Sequence, residues 1–279
     1  MVNDARNWFT MHPSKTSFRL ISMNRLILIV VLALVMATLN ACSTTFDAAE
    51  AYKGESAHEI YQHGVDQLRD NDFQNAIKRF EALDVQYPFG SETETSQIYL
   101  IYAYYKTSDF VSAEASAGRF IHVHPTNPHV DYVYFIKGLS NYYQNLGVFE
   151  KIFTVDLATR DLAQMQKAFN DFSELTRLYP NSCYAPAAHQ YMIYLRNLMA
   201  KHELEVAQYY YCRCAFVAAA NRANLVVRDF EGAPSVPDAL VVMVKSYRQL
   251  QLTQNMNEAF SVLQANYPNS CYVQQAMQL

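Results

Sequence analysis

The sequence of 279 residues is short of glycine (7), proline (9) and tryptophan (1), and only 17% of it is charged. So few turn formers argue against a fold of many short strands joined by tight reversals, which draw on glycine and proline at each turn. The low charged fraction beside 51% apolar residues excludes a chain disordered throughout. The formal net charge is −4, and no basic run is long enough to follow a phosphate backbone, which argues against a nucleic-acid partner. Also missing are a glycine-rich phosphate loop, a nucleophile elbow and a paired metal motif, so the chain reads as non-enzymatic and without a cofactor. What is abundant is aromatic: 21 Tyr and 16 Phe can fill a large core for one or two mostly helical domains.

Charge is uneven at the N-terminus. Residues 1–42 hold four basic side chains (Arg6, Lys15, Arg19, Arg25) and one acidic (Asp4); without them 18 basic and 25 acidic residues remain, a net charge of −7. Met23-Asn24-Arg25 followed by the apolar run Leu26 to Leu39 has the layout of a secretory signal, and the run is too short to span a bilayer comfortably. It ends in Leu39-Asn40-Ala41-Cys42, which resembles the lipobox of bacterial lipoproteins and implies cleavage before Cys42 and acylation of its thiol. Residues 1–22 lack this logic, so Met23 reads as the true start and residues 1–41 as an upstream segment plus signal peptide. Residues 42–56, polar and without periodicity, read as the lipidated cysteine and a flexible tether. Ser43 carries no inner-membrane retention signal, so the expected address is the periplasmic face of the outer membrane, with the lipid as anchor.

Cys183, Cys212, Cys214 and Cys271 are an even number in an oxidising compartment, but their spacing opposes pairing. Cys212 and Cys214 stand two apart on a predicted helix and point to different faces; Cys183 and Cys271 sit in two copies of one hexapeptide, several helices apart. Each reads as a buried small hydrophobe. His122-Val123-His124 has no further ligand at a recognisable spacing and is a weak metal site.

From Ala57 onward the chain repeats itself. Pro88, Pro125 and Pro180 each lie twelve residues after an alanine (Ala76, Ala113, Ala168), and Asp72-Phe73-Gln74-Asn75-Ala76-Ile77 is matched by Asp109-Phe110-Val111-Ser112-Ala113-Glu114. Gly64 stands twelve residues before Ala76, and Phe80 four after it. This pattern resembles the tetratricopeptide repeat. Small residues at Gly64 and Ala76 let two antiparallel helices approach, Ile60, Phe80 and Leu83 fill the space beside the crossing, and proline stops the second helix. A third pair is expected at Tyr132 to Gln144 and Leu162 to Leu178, with an insertion near Leu146 to Asp161. Tyr179-Pro180-Asn181-Ser182-Cys183-Tyr184 recurs as Tyr267-Pro268-Asn269-Ser270-Cys271-Tyr272, a helix stop followed by a cap. Further helices are expected at Ala185 to Ala200 and Glu203 to Cys212, separate or continuous, at Ala215 to Phe230, and in a fifth pair, Asp238 to Gln251 with Met256 to Asn266. The expected fold over 57–279 is all-α, a tetratricopeptide-repeat superhelix of about five helix pairs, each helix about 20 Å long, with a concave face.

Longer runs carry a closer resemblance. Tyr87-Pro88-Phe89, Ile101-Tyr102-Ala103-Tyr104-Tyr105-Lys106, Arg119-Phe120-Ile121, Val130-Asp131-Tyr132, Leu195-Arg196-Asn197 and Val217-Ala218-Ala219-Ala220-Asn221-Arg222 resemble the BamD/ComL (YfiO-like) family of outer-membrane protein assembly lipoproteins. That resemblance covers essentially Ala57 to the C-terminus. It implies a subunit of the β-barrel assembly machine, docked through its C-terminal repeats to periplasmic domains of a BamA-like barrel insertase. Other assembly lipoproteins and unfolded outer-membrane proteins would be further partners. The alternative is a different periplasmic repeat lipoprotein that scaffolds cell-wall synthesis or DNA uptake.

Two candidate sites follow. First-helix side chains expected on the concave side are Tyr61, Leu68 and Arg69, then Ile98, Tyr102, Tyr105 and Lys106, then Tyr132, Phe135, Leu139 and Tyr142. Of these, Tyr61, Tyr102, Tyr105, Tyr132, Phe135 and Tyr142 form a candidate peptide groove, because an aromatic ring offers contact area at low entropic cost, and a tyrosine adds a hydroxyl. The competing reading is that they pack between helices. Arg69 and Lys106 either meet a peptide carboxylate or are solvated. Asn221-Arg222 interrupts an apolar run from Val217 to Val227; Arg222 either solvates the outer face or pairs with a partner's carboxylate, and the resemblance favours the partner.

Overall fold

The computed structural model describes residues 46–144, 146 and 162–278. The chain divides into two units, Met1–Asp47 and Ala48–Leu279, and of the first only Phe46 and Asp47 are described. Cys42, the signal segment, the start at Met23 and nearly all of the insertion after Gln144 therefore lie outside the described residues.

The second unit is helical, and no strand occurs among the described residues. Its helices are α1 (Ala57–Arg69), α2 (Phe73–Gln86), α3 (Ser91–Lys106), α4 (Phe110–Val123), α5 (Val130–Gln144), α6 (Ala163–Leu178), α7 (Ala185–Cys212), α8 (Phe216–Asp229), α9 (Val236–Gln249), α10 (Thr253–Asn266) and α11 (Cys271–Met277). Each packs on the next, giving the five expected pairs, with α11 closing the array. First helices of successive pairs also touch, α1 on α3, α3 on α5 and α7 on α9, and α11 lies on α9. None of the described helices is long and apolar enough to cross a membrane.

Local chemistry sets these elements. Ser56 opens α1 with a capping box: its Oγ accepts from Glu59 N–H at 3.3 Å, and Glu59 Oε2 accepts from Ser56 N–H at 2.8 Å. The Asp of each Asp-Phe copy has the same use. Asp72 Oδ1 accepts from Asn75 N–H at 3.3 Å, and Asp109 Oδ1 from Ser112 N–H at 3.1 Å. Within four pairs the inter-helix turn is one motif. Asn71, Ser108, Cys214 and Gln251 take φ of 59°, 63°, 58° and 60°, and the next N–H reaches back to Gln67, Tyr104, Tyr210 and Tyr247 carbonyls at 2.8–3.0 Å. The connection of the third pair lies almost wholly outside the described residues. A buried polar clasp joins its helices: Asp171 of α6, 7% exposed, accepts from Lys137 Nζ at 2.8 Å and Asn141 Nδ2 at 2.7 Å, both on α5.

Gly64 allows the first crossing in a specific way. A Cβ there would lie 2.5 Å from Cε1 of Phe80, so the ring packs flat against glycine backbone. The third pair repeats this contact, a Cβ on Gly138 meeting Phe172 Cε1 at 2.6 Å. In the second pair the sizes are exchanged: Ile101 and Ala117 hold the two positions, both fully buried. At the end of each second helix the chain leaves the helical conformation at Tyr87, His124, Tyr179, Phe230 and Tyr267, with φ between −132° and −122° and ψ between 42° and 66°. Proline follows all of these except Phe230 and forbids a further α-helical residue before it.

Several expectations need correction. Of the two readings left open for 185–212, the continuous one holds: Ala185–Cys212 is one helix of 28 residues, about 42 Å long, twice the length expected of each helix. The closing helix α11 lay unread beyond the fifth pair. The four cysteines are exposed and free rather than buried, because each falls at a turn or helix end: Cys212 ends α7, Cys214 takes the left-handed turn position, Cys183 lies in the turn before α7, and Cys271 starts α11. The serines of the hexapeptide do not cap by side chain; Ser270 Oγ donates to Tyr267 carbonyl at 2.7 Å and Ser182 Oγ to Asp131 Oδ2 at 2.6 Å. Residues 48–56, expected as tether, are bound to the array. Gln86 Nε2 donates to Ala48 carbonyl at 2.7 Å, Arg79 Nη1 bonds Glu55 Oε2 at 2.6 Å, and the Arg79 guanidinium lies 4.1 Å from the Tyr52 ring centroid.

Candidate functional site

Side chains of α3 spaced as Thr95, Ile98, Tyr99 and Tyr102 share one helical face, and that face opens into a recess of about 370 Å³. His129, Tyr132 and Tyr184 complete its lining. Two polar anchors place them. Asn127 Oδ1 accepts from His129 N–H at 2.8 Å, holding the residue before α5. Asp131 takes the Ser182 hydroxyl while Ser182 Oγ accepts from Tyr184 N–H at 3.1 Å, so the hexapeptide turn is tied to α5 and delivers Tyr184 over Tyr132 with ring centroids 5.4 Å apart.

The recess is aromatic, apolar at its walls and capable of hydrogen bonds at its hydroxyls. Burial, reinforced by neighbouring Tyr102 and Tyr184, pushes the Tyr132 phenol well above its ordinary value, so it remains a neutral donor at any physiological pH. Lys106 Nζ stands 5.6 Å from the Phe73 ring centroid and 5.9 Å from that of Tyr102, while Phe73 meets Tyr102 edge-on at 6.0 Å. One end of the aromatic surface therefore carries a cation. Arg69 instead bonds Asp66 on its own helix at 3.0 Å.

The six groove candidates separate by position. Tyr102 and Tyr132 line the recess, and Ile98 with them. Tyr61 stacks behind it on Tyr99 at 6.4 Å. Tyr105 borders a shallower recess of about 240 Å³ with Lys106, Ser108, Phe110 and Tyr143, and burial beside Tyr143 pushes its phenol up to about 12. Phe135 lies between Tyr184 at 5.3 Å and Phe172 at 5.9 Å, and Tyr142 meets Tyr191 at 5.4 Å and Tyr143 at 5.0 Å; for these two, packing between helices accounts for the ring. Leu139 is buried and Leu68 half-buried. Reading the sequence missed Thr95, Tyr99, His129 and Tyr184. The first two were recoverable from the spacing to Tyr102; Tyr184 was hidden because its hexapeptide reads as a helix boundary.

At the second candidate site Asn221 is exposed, and Arg222 does something neither sequence reading contained. Its Nη1 donates to Glu203 Oε2 at 2.8 Å, joining α8 to α7, with side-chain exposures of 44% and 19%. The bond to Glu203 raises the guanidinium pKa further. Glu203 also borders a recess of about 280 Å³ with Leu162, Gln166, Met199, His202 and Phe230. Among the described residues no group of three or more His, Cys, Asp or Glu is placed to hold a metal ion.

Comparison with known proteins shows the family. The family described as YfiO, outer membrane lipoprotein, matches residues 53–263. The chain is 35% identical over 216 residues to the outer membrane protein assembly factor BamD of Xylella fastidiosa (strain Temecula1), covering 77% of this chain and 74% of that protein. It is 33% identical to the BamD protein of Vibrio cholerae, covering 75% and 86%, and 30% identical to that of Neisseria gonorrhoeae, covering 92% and 96%.

Proposed function

The chain belongs to the YfiO family of outer membrane lipoproteins, and on that premise we propose that it is a non-enzymatic assembly factor for outer-membrane proteins. The observation that carries this reading is the 35% identity over 216 residues to a protein named as such a factor. The architecture suits such a role, because a stack of helix pairs presents an aromatic recess from its second and third pairs and a polar, ion-paired surface from its fourth. An extended segment of an unfolded barrel protein, alternating apolar and aromatic side chains, is the ligand that the recess fits. Its apolar side chains meet Ile98 and the tyrosine faces, and its backbone meets the Tyr102 and Tyr132 hydroxyls. A terminal carboxylate on that segment would meet Lys106.

The C-terminal pairs take the periplasmic domains of the barrel insertase, with Asn221 and Arg222 in the contact and other assembly lipoproteins beside it. Because Glu203 already holds Arg222, an insertase carboxylate joins or replaces an existing pair and does not meet a bare cation. Cys42 carries the acyl anchor at the periplasmic face of the outer membrane. The test is affinity capture of the tagged chain from detergent-solubilised outer membrane. Co-purification of the barrel insertase is expected, and capture of cell-wall enzymes without it would refute the assignment.

A further inference from the structure

Phe89 is 93% exposed in the turn between α2 and α3. An exposed phenylalanine needs no explanation by itself; the way this one is displayed does. Pro88 restricts the backbone before it and Gly90 follows at φ 146°. The Tyr87 carbonyl accepts from the hydroxyl of buried Thr93 at 2.6 Å, and the Tyr87 hydroxyl donates to the Glu55 carbonyl at 3.0 Å. The turn is thus held from both sides while its phenylalanine ring stands in solvent, and Val85 and Tyr87, close to it in the chain, are exposed as well.

The course of the chain says what faces this surface. Residues 48–55 dock beside the same turn, through Gln86 Nε2 on the Ala48 and Ala51 carbonyls and through the Tyr87 bond to Glu55. From Ala48 back to Cys42 is at most about 20 Å of fully extended chain, and from Gln86 forward to Phe89 at most about 10 Å. An acylated Cys42 therefore keeps this end of the array within a short reach of the bilayer, whatever path the linking residues take. Among the described residues nearby, charges form no basic patch: Lys53 pairs with Glu50, and Glu92 bonds His58. The surface suits zwitterionic phospholipid rather than an anionic leaflet.

We infer that the Tyr87-Pro88-Phe89 turn is a membrane-contact site, with Phe89 seated at the boundary of headgroups and acyl chains beside the lipid anchor. Apolar aromatic side chains of membrane-surface segments bury to that depth. Because the anchor has already brought the turn to the surface, the second contact is intramolecular, and a single ring suffices to orient the array. This rests on the acylation of Cys42 proposed above.

The sequence supplies its own probe. Its one tryptophan, Trp8, lies upstream of both Met23 and Cys42, so the mature chain has none. Phe89→Trp and, as a distant control, Val262→Trp are prepared as mature acylated protein and reconstituted into phosphatidylcholine vesicles. Position 89 is expected to emit further to the blue than in the soluble Cys42→Ser form, and to be quenched several-fold more strongly than position 262 by brominated phosphatidylcholine. Equal quenching at both positions in protein that still floats with the vesicles overturns the contact and leaves the anchor standing. A blue shift at position 89 that appears only on adding a partner protein likewise overturns it, in favour of a protein interface. Tryptophan emission from the unsubstituted protein, or failure to float, shows that cleavage and acylation at Cys42 do not occur, and the contact falls with them.

Discussion

Replacing Gly138 by alanine tests the packing logic and its link to the recess together. An added Cβ would lie 2.6, 2.8 and 2.9 Å from Cε1, Cδ1 and Cζ of Phe172, whereas unstrained carbon contacts sit at about 3.5–4.0 Å. The ring must retreat by about 1 Å, but Phe172 is fully buried and stacks on Tyr191 at 5.0 Å with an interplanar angle of 15°. Overpacking of this kind costs about 1–3 kcal/mol, and the better helix propensity of alanine offsets roughly 1 kcal/mol of it, leaving a net loss of up to about 2 kcal/mol. Gly118 is the internal control. It is helical too, and a Cβ there finds its nearest neighbour, Lys137 Cε, at an ordinary 3.8 Å, so Gly118→Ala should stabilise by up to about 1 kcal/mol. Urea unfolding followed by circular dichroism reads both signs. Shrinking the ring with Phe172→Leu should recover most of the Gly138→Ala loss. The disturbance also travels toward the ligand surface, because Phe172 touches Phe135 at 5.9 Å and Phe135 stacks on Tyr184, a lining residue, at 5.3 Å. Equal stabilisation by both alanines would refute the reasoning.

Four further outcomes are expected. Tyr102→Ala should weaken binding of an extended barrel-derived peptide by about 1–3 kcal/mol while leaving the melting curve nearly unchanged, read by calorimetry and a thermal melt. Arg222→Glu should lower affinity for the insertase's periplasmic domains by about 2 kcal/mol or more if the partner buries this pair, whereas Glu203→Gln, which releases the arginine, should not; equal affinity for all three folded proteins removes the residue from the interface. Ser108→Gly and Gln251→Gly should each stabilise by about 0.5–1 kcal/mol, since relief of a left-handed L-residue exceeds the extra freedom of glycine in the unfolded chain, while Asn71→Gly should be close to neutral. A phenol raised above its ordinary pKa contributes stability that is complete below about pH 10 and lost as pH climbs through the folded value. With Tyr105 pushed up to about 12 by burial, the urea midpoint should fall between those pH values, and Tyr105→Phe should flatten that fall.

The repeat architecture was legible because its determinants are local and periodic. Alanine, proline and the Asp-Phe signature recur at fixed offsets, and each maps onto a crossing, a helix stop or a side-chain cap in the structure. Less legible was anything that depends on which helix a side chain meets across space. The Arg222–Glu203 bond joins residues 19 apart on different helices, and nothing in either run marks the other as its partner. The cysteines misled because free thiols are usually buried, but here the turn geometry outweighed that tendency. Residues 48–56 look like linker by composition, yet backbone carbonyls at Ala48, Ala51 and Glu55 give Gln86 and Tyr87 their acceptors, a use of main chain that composition cannot show. The aromatic stripe was foreseen, but its division into lining rings and packing rings was not. Phe135 and Tyr142 have the same helical spacing as Tyr132 and differ only in the neighbours that α6 and α7 bring to them.

Depletion of the chain from its parent cell tests the central assignment most directly, with folded barrel proteins in the outer membrane counted by their resistance to unfolding in cold detergent. Folded barrels should decline and unfolded barrel chains accumulate in the periplasm as the chain is lost, and a Cys42→Ser copy, released from the membrane, should restore them less well than the acylated form. Unchanged levels of folded barrels in fully depleted cells, with a defect confined to the cell wall, would contradict the account.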